Sequence, residues 1–264
     1  MTVILQAIIL DHNPKGESDL LVTAFTQEKG KINAKAKGAR KSEAKLRGIL
    51  EVGNEVKLML APGKNQIHIA GGDIIDSHIL IRQNLELLLL WQAMLEVVSF
   101  ATVPDNIEYE VYDLLTGWAK FLQHNLKPYS VRNKLIVYLV IWQFLSLIGF
   151  KPQFDECVRS GQKLVAENCF FSVTEGGVVS KKYFQTSDLP LSLNVWKILR
   201  YIFKGNFWAA LSDIYRFRIT KQENLELANI LINYTENTIE KKINSLSYLE
   251  KIYTYGNKVM AGNK

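Results

Sequence analysis

The stretch KGKINAKAKGARKSEAKLR, residues 29–47, carries two patterns at once. On an extended strand successive side chains point to opposite faces, so Lys31, Lys35 and Lys37 share one face. The positions of opposite parity are Ile32, Ala34 and Ala36. The stretch therefore predicts a β-strand with a small apolar inner face and a cationic outer face.

Further short runs of apolar or alternating residues surround this strand. They cover residues 3–10, 20–26, 56–60 and 67–76, and Gly, Pro and Asn residues separate them. Closing a sheet of about five short strands removes its exposed edges. We expect an OB-like β-barrel over residues 1–80.

The apolar period changes to that of helices after residue 79. Residues 152–188 interrupt it with both cysteines, a Gly-Gly pair and short strand-like pieces. The predicted helices cover residues 85–98, 109–123, 131–148, 192–204, 206–218 and 222–243. The chain is thus expected to be α+β, with a barrel at 1–80, helical parts at 81–151 and 189–264, and an insertion at 152–188.

Targeting and membrane signals are weak. The most apolar segment, residues 135–150, is about 16 residues long and falls short of the roughly 20 needed to cross a bilayer. It predicts a helix buried on all sides. The first ten residues lack a basic start and a cleavage site, which favours a strand over a signal peptide. Two cysteines are too few for a disulfide scaffold and favour a reducing cytoplasm.

The basic stretch is the strongest functional signal. Residues 29–47 hold eight cations against the single acid Glu43, in a chain of formal charge +6. Glycines between the cations would let a phosphate backbone approach closely. Such contacts position a nucleic acid without reading its sequence. The alternative is a solvated, lysine-rich loop. Phe25 is the nearest aromatic residue and fits the core equally well, so base stacking is not evident.

Catalysis is not expected. The four histidines, at positions 12, 68, 78 and 124, lie in different segments without metal spacing or a neighbouring nucleophile motif. No phosphate-cradling Gly-x-x-x-x-Gly-Lys-Ser/Thr sequence is present, so an ATP motor is not expected either.

Three runs near the N-terminus resemble a known family. GESDLLVTAFTQEKGK at 16–31, AKGARK at 36–41 and LRG at 46–48 look like the N-terminal signature of the RecO family of DNA repair and recombination mediators. Further on, LIGFKP at 147–152, FDEC at 154–157 and GGV at 176–178 are similar to that family's later landmarks.

The resemblance implies an N-terminal OB-fold, a helical C-terminal domain and no catalysis. It implies binding to single- and double-stranded DNA, strand annealing, and help in loading RecA onto strands coated by single-strand-binding protein (SSB). Expected partners are DNA, the SSB C-terminal tail and RecR, with RecF or RecA beyond them, and the expected location is the cytoplasm at the nucleoid. The candidate DNA-binding residues are Lys31, Lys35, Lys37, Arg40, Lys41, Lys45 and Arg47.

The insertion departs from the family's pattern. Many family members carry two Cys-x-x-Cys pairs there, whereas the matching positions here are Cys157, Ser160, Ser180 and Tyr183. One thiolate cannot complete the four-ligand shell of structural zinc, and Cys169 falls outside the spacing. We therefore expect a degenerate zinc-ribbon-like insertion without zinc and without another cofactor, held by aromatic packing.

A second candidate site flanks the apolar helix at 131–148. Lys127, Arg132 and Lys134 would suit the acidic, hydrophobic-ended SSB tail. The alternative is that they are helix-end charges beside a core helix. Two other functions also remain open: an RNA-directed OB module, since the same barrel could follow either backbone, and a hydrolase or nuclease.

Overall fold

The five predicted strands form and close into a barrel. The computed structural model describes residues 2–41, 44–64, 66–104, 106, 109–127, 130, 132–249 and 251. The order of the hydrogen-bonded strands around the barrel is β1-β2-β3-β5-β4, and β4 pairs with β1 to close it. Only the β3–β5 pair is parallel. This closed five-stranded barrel followed by helices confirms the predicted α+β class. The strands are β1 (Val3–Lys15), β2 (Asp19–Thr26), β3 (Gly30–Ala36), β4 (Glu55–Ala61) and β5 (Ile67–Asp76).

The barrel interior is filled by the alternate residues of every strand. On β3, Ile32, Ala34 and Ala36 are at most 2% exposed, as their parity predicts. They join Leu5, Val22, Leu58 and other apolar residues in one buried cluster. Phe25 is also fully buried, so it belongs to the packing and offers no stacking surface.

The chain divides into two compact units, residues 1–126 with 243–264, and residues 127–242. In the first unit the barrel is joined by four helices up to residue 124, and residues 244–249 are also helical. The four-residue helix α1 begins at the end of the basic stretch and has no counterpart among the predicted helices. Helix α3 begins after Asn84, whose side chain accepts hydrogen bonds from the N–H groups of Glu86 and Leu87. The helices are α1 (Leu46–Ile49), α2 (Ile79–Arg82), α3 (Leu85–Ala101) and α4 (Tyr109–His124).

The second unit is built around α5 (Asn133–Leu147), which is buried on all sides as predicted. The Trp142 indole donates hydrogen bonds to the Leu231 carbonyl (3.2 Å) and the Thr235 hydroxyl (3.0 Å). Phe154, Phe171 and Tyr234 surround its ring. The remaining elements are a sheet of order β7-β6-β8, formed by β6 (Cys169–Ser172), β7 (Gly177–Val179) and β8 (Leu189–Leu191), and the helices α6 (Leu193–Lys204), α7 (Phe207–Ser212) and α8 (Lys221–Ile239).

The predicted helix over 206–218 is wrong in extent. Helix α7 ends at Ser212, one 3-10 turn covers 213–215, and non-helical backbone follows. The Arg132 guanidinium donates to the carbonyls of Ile214 and Phe217. Those carbonyls are therefore satisfied by a side chain instead of by the next turn of a helix.

No helix within the described ranges is long and apolar enough to span a membrane.

Gly53, in the turn before β4, allows a close approach that only glycine permits. Its φ is +86°, and a Cβ there would lie 2.3 Å from the Trp91 indole nitrogen. We expect Gly53→Ala to lower the free energy of unfolding by about 2–5 kcal/mol, from backbone strain and overpacking. The matched control is Gly48→Ala, because a Cβ on this α1 residue meets nothing within 4 Å. Urea unfolding measures both, and equal stabilities for the two variants would contradict the assignment.

Candidate nucleic-acid interface

Two loops of the barrel are joined at one end by side-chain hydrogen bonds. The Asp19 carboxylate, at the start of β2, accepts a hydrogen bond from the Gly38 N–H at 2.8 Å. Arg40 donates from its guanidinium to the carbonyls of Gly16 and Glu17, at 2.9 and 3.1 Å. The β1–β2 loop and the turn that follows β3 are thereby held together.

The β4–β5 loop meets the same end. The Lys15 ammonium, at the end of β1, donates to the Gln66 side-chain oxygen at 2.9 Å. In OB barrels the β2–β3 face together with the β1–β2 and β4–β5 loops binds oligonucleotides. We call this region, defined by Lys15, Lys35, Lys37, Arg40, Lys41 and Lys64, the basic end of the barrel.

Lys31, a predicted DNA-binding residue, contacts helix α3. Its ammonium donates to the carbonyls of Ser99 and Thr102, at 2.6 and 2.8 Å, at the C-terminal end of α3. A cation is favoured there because the last carbonyls of a helix lack backbone partners. Lys31 therefore joins the barrel to α3.

Lys35 points outward as predicted but is paired. Its ammonium lies 2.6 Å from the Asp19 carboxylate, and both side chains are about one-fifth exposed. The hydrogen bond from Lys35, followed by that from the Gly38 N–H, lowers the pKa of Asp19 to about 2. The carboxylate thus stays ionised above pH 4 and offsets the charge of Lys35.

Lys37 and Lys41 are the predicted cations most available to a ligand. Both are exposed, and the Lys41 side chain lies against Gly38. Lys45 and Arg47 are exposed too, but they belong to the start of α1, which contacts β5. The basic stretch is therefore distributed over the β2–β3 side and the α1 side of the barrel.

The sequence interpretation did not include Lys15 and Lys64. Both are exposed; Lys15 is the last residue of β1, next to the β1–β2 loop, and Lys64 lies in the β4–β5 loop. Each follows a turn proline, in NPKG at 13–16 and PGK at 62–64. These turns were visible in the sequence, and combining them with the OB strand order would have placed both lysines at the basic end.

Two of the four positions that the family resemblance matches to zinc ligands, Cys157 and Ser180, lie next to each other in the insertion. The Cys157 sulfur accepts a hydrogen bond from the Ser180 N–H at 3.5 Å. Burial acts to raise the pKa of this thiol, but hydrogen bonds led by that from the Ser160 side chain lower it to about 7. Within the described residues no three His, Cys, Asp or Glu side chains come together to hold a metal. The residues present do not fit zinc.

Arg159 links three segments of the insertion. Its guanidinium contacts both oxygens of Asp188, at 2.6 and 2.8 Å, and its Nε lies 2.9 Å from Glu175. It also donates to the Tyr183 carbonyl at 2.6 Å. Burial acts to raise the pKa of Asp188, and the bond from Arg159 outweighs burial and lowers it.

The predicted aromatic packing of the insertion is divided between two places. Phe154 and Phe171 both stack on Trp142 of α5. Phe170 instead packs on Phe184, with ring centroids 4.1 Å apart. Tyr183 contributes its carbonyl to Arg159.

The three cations of the second candidate site have different surroundings within their unit. The Lys127 ammonium lies 5.1 Å from the centroid of the Tyr215 ring. Arg132 is committed to the two carbonyls that end the α7 region. Lys134 lines a groove of about 520 Å³ beside α8, together with Pro190, Gln222, Leu225, Glu226, Ala228, Asn229 and Ile232.

Comparison with known proteins covers almost the whole chain. The family model described as "Recombination protein O N terminal" matches residues 1–78, and "Recombination protein O C terminal" matches residues 82–247. A protein named DNA repair protein RecO from Dehalococcoides mccartyi is 27% identical over 248 residues, 94% of each chain. Its namesake from Desulfitobacterium hafniense is 26% identical over 95% of this chain and 90% of its own. That from Bacillus pumilus is 27% identical over 89% and 88%.

A measurement of protein stability, without DNA, tests whether Lys31 has a structural role. We expect Lys31→Met to lower the free energy of unfolding by about 1–3 kcal/mol, because two carbonyls lose a charged donor. The exposed Lys37 should tolerate the same substitution within about 0.5 kcal/mol. Thermal unfolding of both variants measures these changes. An unchanged stability of Lys31→Met would show that the contacts of Lys31 with the end of α3 do not stabilise the fold.

The Arg159 network should do the stabilising work of a metal in the insertion. We propose that Arg159→Met lowers the free energy of unfolding by about 2–4 kcal/mol, because Asp188 is left buried without its partner. A chelator should not change the unfolding curve of the wild-type protein. Arg159→Met/Asp188→Leu, which removes both charges, should recover part of the loss. A chelator-sensitive wild type would overturn this account.

Proposed function

The chain belongs to the recombination protein O (RecO) family, and on that premise we propose that it is a DNA-binding repair and recombination mediator. The observation that supports this most directly is the basic end of the barrel. There, exposed lysines lie at the end of β1, in the turn after β3 and in the β4–β5 loop, and OB barrels bind oligonucleotides on the β2–β3 face and the β1–β2 and β4–β5 loops. The proposal assigns no catalytic step to the protein.

The chemistry of the basic end suits phosphate, not bases. Its side chains are ammonium and guanidinium groups, which bind phosphate oxygens and fix the position of a strand without selecting its sequence. Phe25, the nearest aromatic residue in the sequence, is fully buried. Single and double strands would therefore both bind, since both present the same backbone.

Holding the backbone gives a route to annealing. Two strands repel each other through their phosphates, and cations that neutralise several phosphates reduce this cost. Hydrogen bonds from Arg40 and Lys15 fix the loops before DNA arrives. Such preorganisation reduces the entropy lost on binding. We propose that the protein brings SSB-coated strands together in this way and helps RecA to load.

The groove beside α8 is the proposed binding site of the SSB tail. Leu225 is 58% exposed there, and Lys134 lines the same groove. An apolar wall with a cation would suit a peptide that ends in acidic and hydrophobic residues. RecR, with RecF or RecA, would complete the set of partners, and a protein acting on chromosomal DNA would work in the cytoplasm at the nucleoid.

Charge reversal at the basic end tests the DNA site. We expect Lys37→Glu/Lys41→Glu to weaken binding to a labelled single strand on the order of tenfold, with a log–log salt slope shallower by about 1.4, from about 0.7 per phosphate contact. Arg40 is left intact because it shapes the loops. Fluorescence anisotropy across a salt series measures both quantities.

The matched control is Lys57→Glu/Lys120→Glu, which changes the net charge equally at two exposed residues of the same unit. Equal losses for the two double variants would show that only total charge matters and would count against the basic end. A matched RNA strand that outcompetes DNA would favour the RNA-directed alternative. Annealing of SSB-coated strands should fall in parallel with DNA binding.

A further inference from the structure

The positive charge of the chain is concentrated in the second unit. Residues 127–242 contain sixteen Lys and Arg against ten Asp and Glu. The remaining residues contain sixteen of each. The whole formal excess of +6 therefore belongs to the unit that lacks the barrel, and the basic end does not account for it.

Part of this excess forms one face of α6. The buried face consists of Val195, Trp196, Ile198, Leu199 and Ile202. Lys197, Arg200, Tyr201 and Lys204 are spaced by three or four residues and share the opposite face. Lys197, Tyr201 and Lys204 are exposed, and Arg200 is partly exposed.

A cationic pocket lies along one side of this face. It has a volume of about 340 Å³, and its walls include Lys151, Arg200 and Lys204. The Asp155 carboxylate lies 2.5 Å from Arg200 and 3.9 Å from Lys204. One carboxylate thus faces three cations, which leaves positive charge available to an anion.

An aromatic side chain lies beside these cations. The Tyr201 side chain is 50% exposed, and its hydroxyl donates to the Asp213 carboxylate at 2.9 Å. The Phe217 ring packs against it at right angles, with centroids 5.7 Å apart. Arg216 lies 2.8 Å from the same carboxylate and is itself largely exposed. Tyr201 is therefore held in place and still presents surface to solvent.

Cations that alternate with a positioned aromatic ring are the composition of surfaces that follow single-stranded nucleic acid. We infer that this face, the α6 strip, is a second binding site for single-stranded DNA, with backbone phosphate held by the cations and a base stacked on Tyr201. The strip consists of Lys151, Lys197, Arg200, Tyr201, Lys204 and Arg216. The inference goes beyond the proposed function, which places DNA on the barrel.

A solvated helix face would explain the lysines but not the ring. The exposed half of the Tyr201 side chain contributes no burial of apolar surface to folding. The hydrogen bond to Asp213 and the contact with Phe217 nevertheless hold the ring in one orientation, which suits a surface on which a base can stack. Stacking requires an unpaired base, so the strip should prefer single strands to duplexes. This preference distinguishes the strip from the basic end, whose phosphate contacts do not require unpaired bases.

Two variants of the full-length protein test the strip, by anisotropy with a labelled oligo(dT) and with a duplex of the same length. Lys197→Glu/Lys204→Glu should weaken single-strand binding at least about fivefold and make the salt slope shallower by about 1.4. The matched control, Lys181→Glu/Lys182→Glu, changes two exposed lysines of the same unit. If the strip variant binds no more weakly than this control, the site is overturned.

Tyr201→Ala should weaken oligo(dT) binding about fivefold or more and leave duplex binding unchanged. A fivefold loss is about the lower end of the effect of removing one base-stacking side chain. Tyr201→Phe keeps the ring and should bind oligo(dT) like the wild type. An unchanged Tyr201→Ala protein, or an equal loss on duplex, would refute stacking. A matched RNA strand in the same assay shows whether the strip distinguishes the two backbones, and tighter binding of RNA would overturn the assignment to DNA.

The barrel variant Lys37→Glu/Lys41→Glu separates this inference from the proposed function. Normal binding by the strip variants with a loss in the barrel variant overturns the strip and leaves the barrel site in place. A loss in the strip variants with normal binding by the barrel variant supports the strip and rejects the barrel site.

Discussion

The alternation of side chains on β3 is the constraint on which the barrel and its surface both depend. Closure requires small apolar residues inside, and Ile32, Ala34 and Ala36 supply them. The same alternation forces Lys31 and Lys35 outward. A one-residue shift of register would bury ammonium groups and expose the core, so the apolar interior also determines where the cations lie.

The outer face of β3 has two different environments. Near Gly30 the face meets the end of α3, where Lys31 donates hydrogen bonds to the carbonyls of Ser99 and Thr102. Near Ala36 it opens beside the β1–β2 loop, and Lys35 pairs with Asp19. Two cations of one strand therefore have different structural roles, and a count of charges does not separate them. Exposure and hydrogen-bond partners do.

Patterns that repeat within a few residues were readable from the sequence, whereas contacts between distant residues were not. The period of two predicted all five strands, and the period of 3.6 predicted α3, α4 and α5. Helix α1 has too few residues to show a period. The partners of Lys31 lie about seventy residues further along the chain, so its docking role could not be predicted. The end of α7 depends on Arg132, which is equally remote.

An ionic network centred on Arg159 holds the insertion together. A guanidinium has five donors in a fixed plane, and Arg159 uses them to join three segments of the insertion. Zinc would join such segments through thiolates and make folding depend on metal supply. The network instead makes it depend on the charge of Asp188. Because the pKa of Asp188 is lowered in the folded state, its contribution to stability is complete above the unfolded pKa, near 3.9, and is lost as the pH falls below it. Around neutral pH the Asp188 carboxylate is ionised, so the Arg159 network contributes fully to the stability of the insertion there.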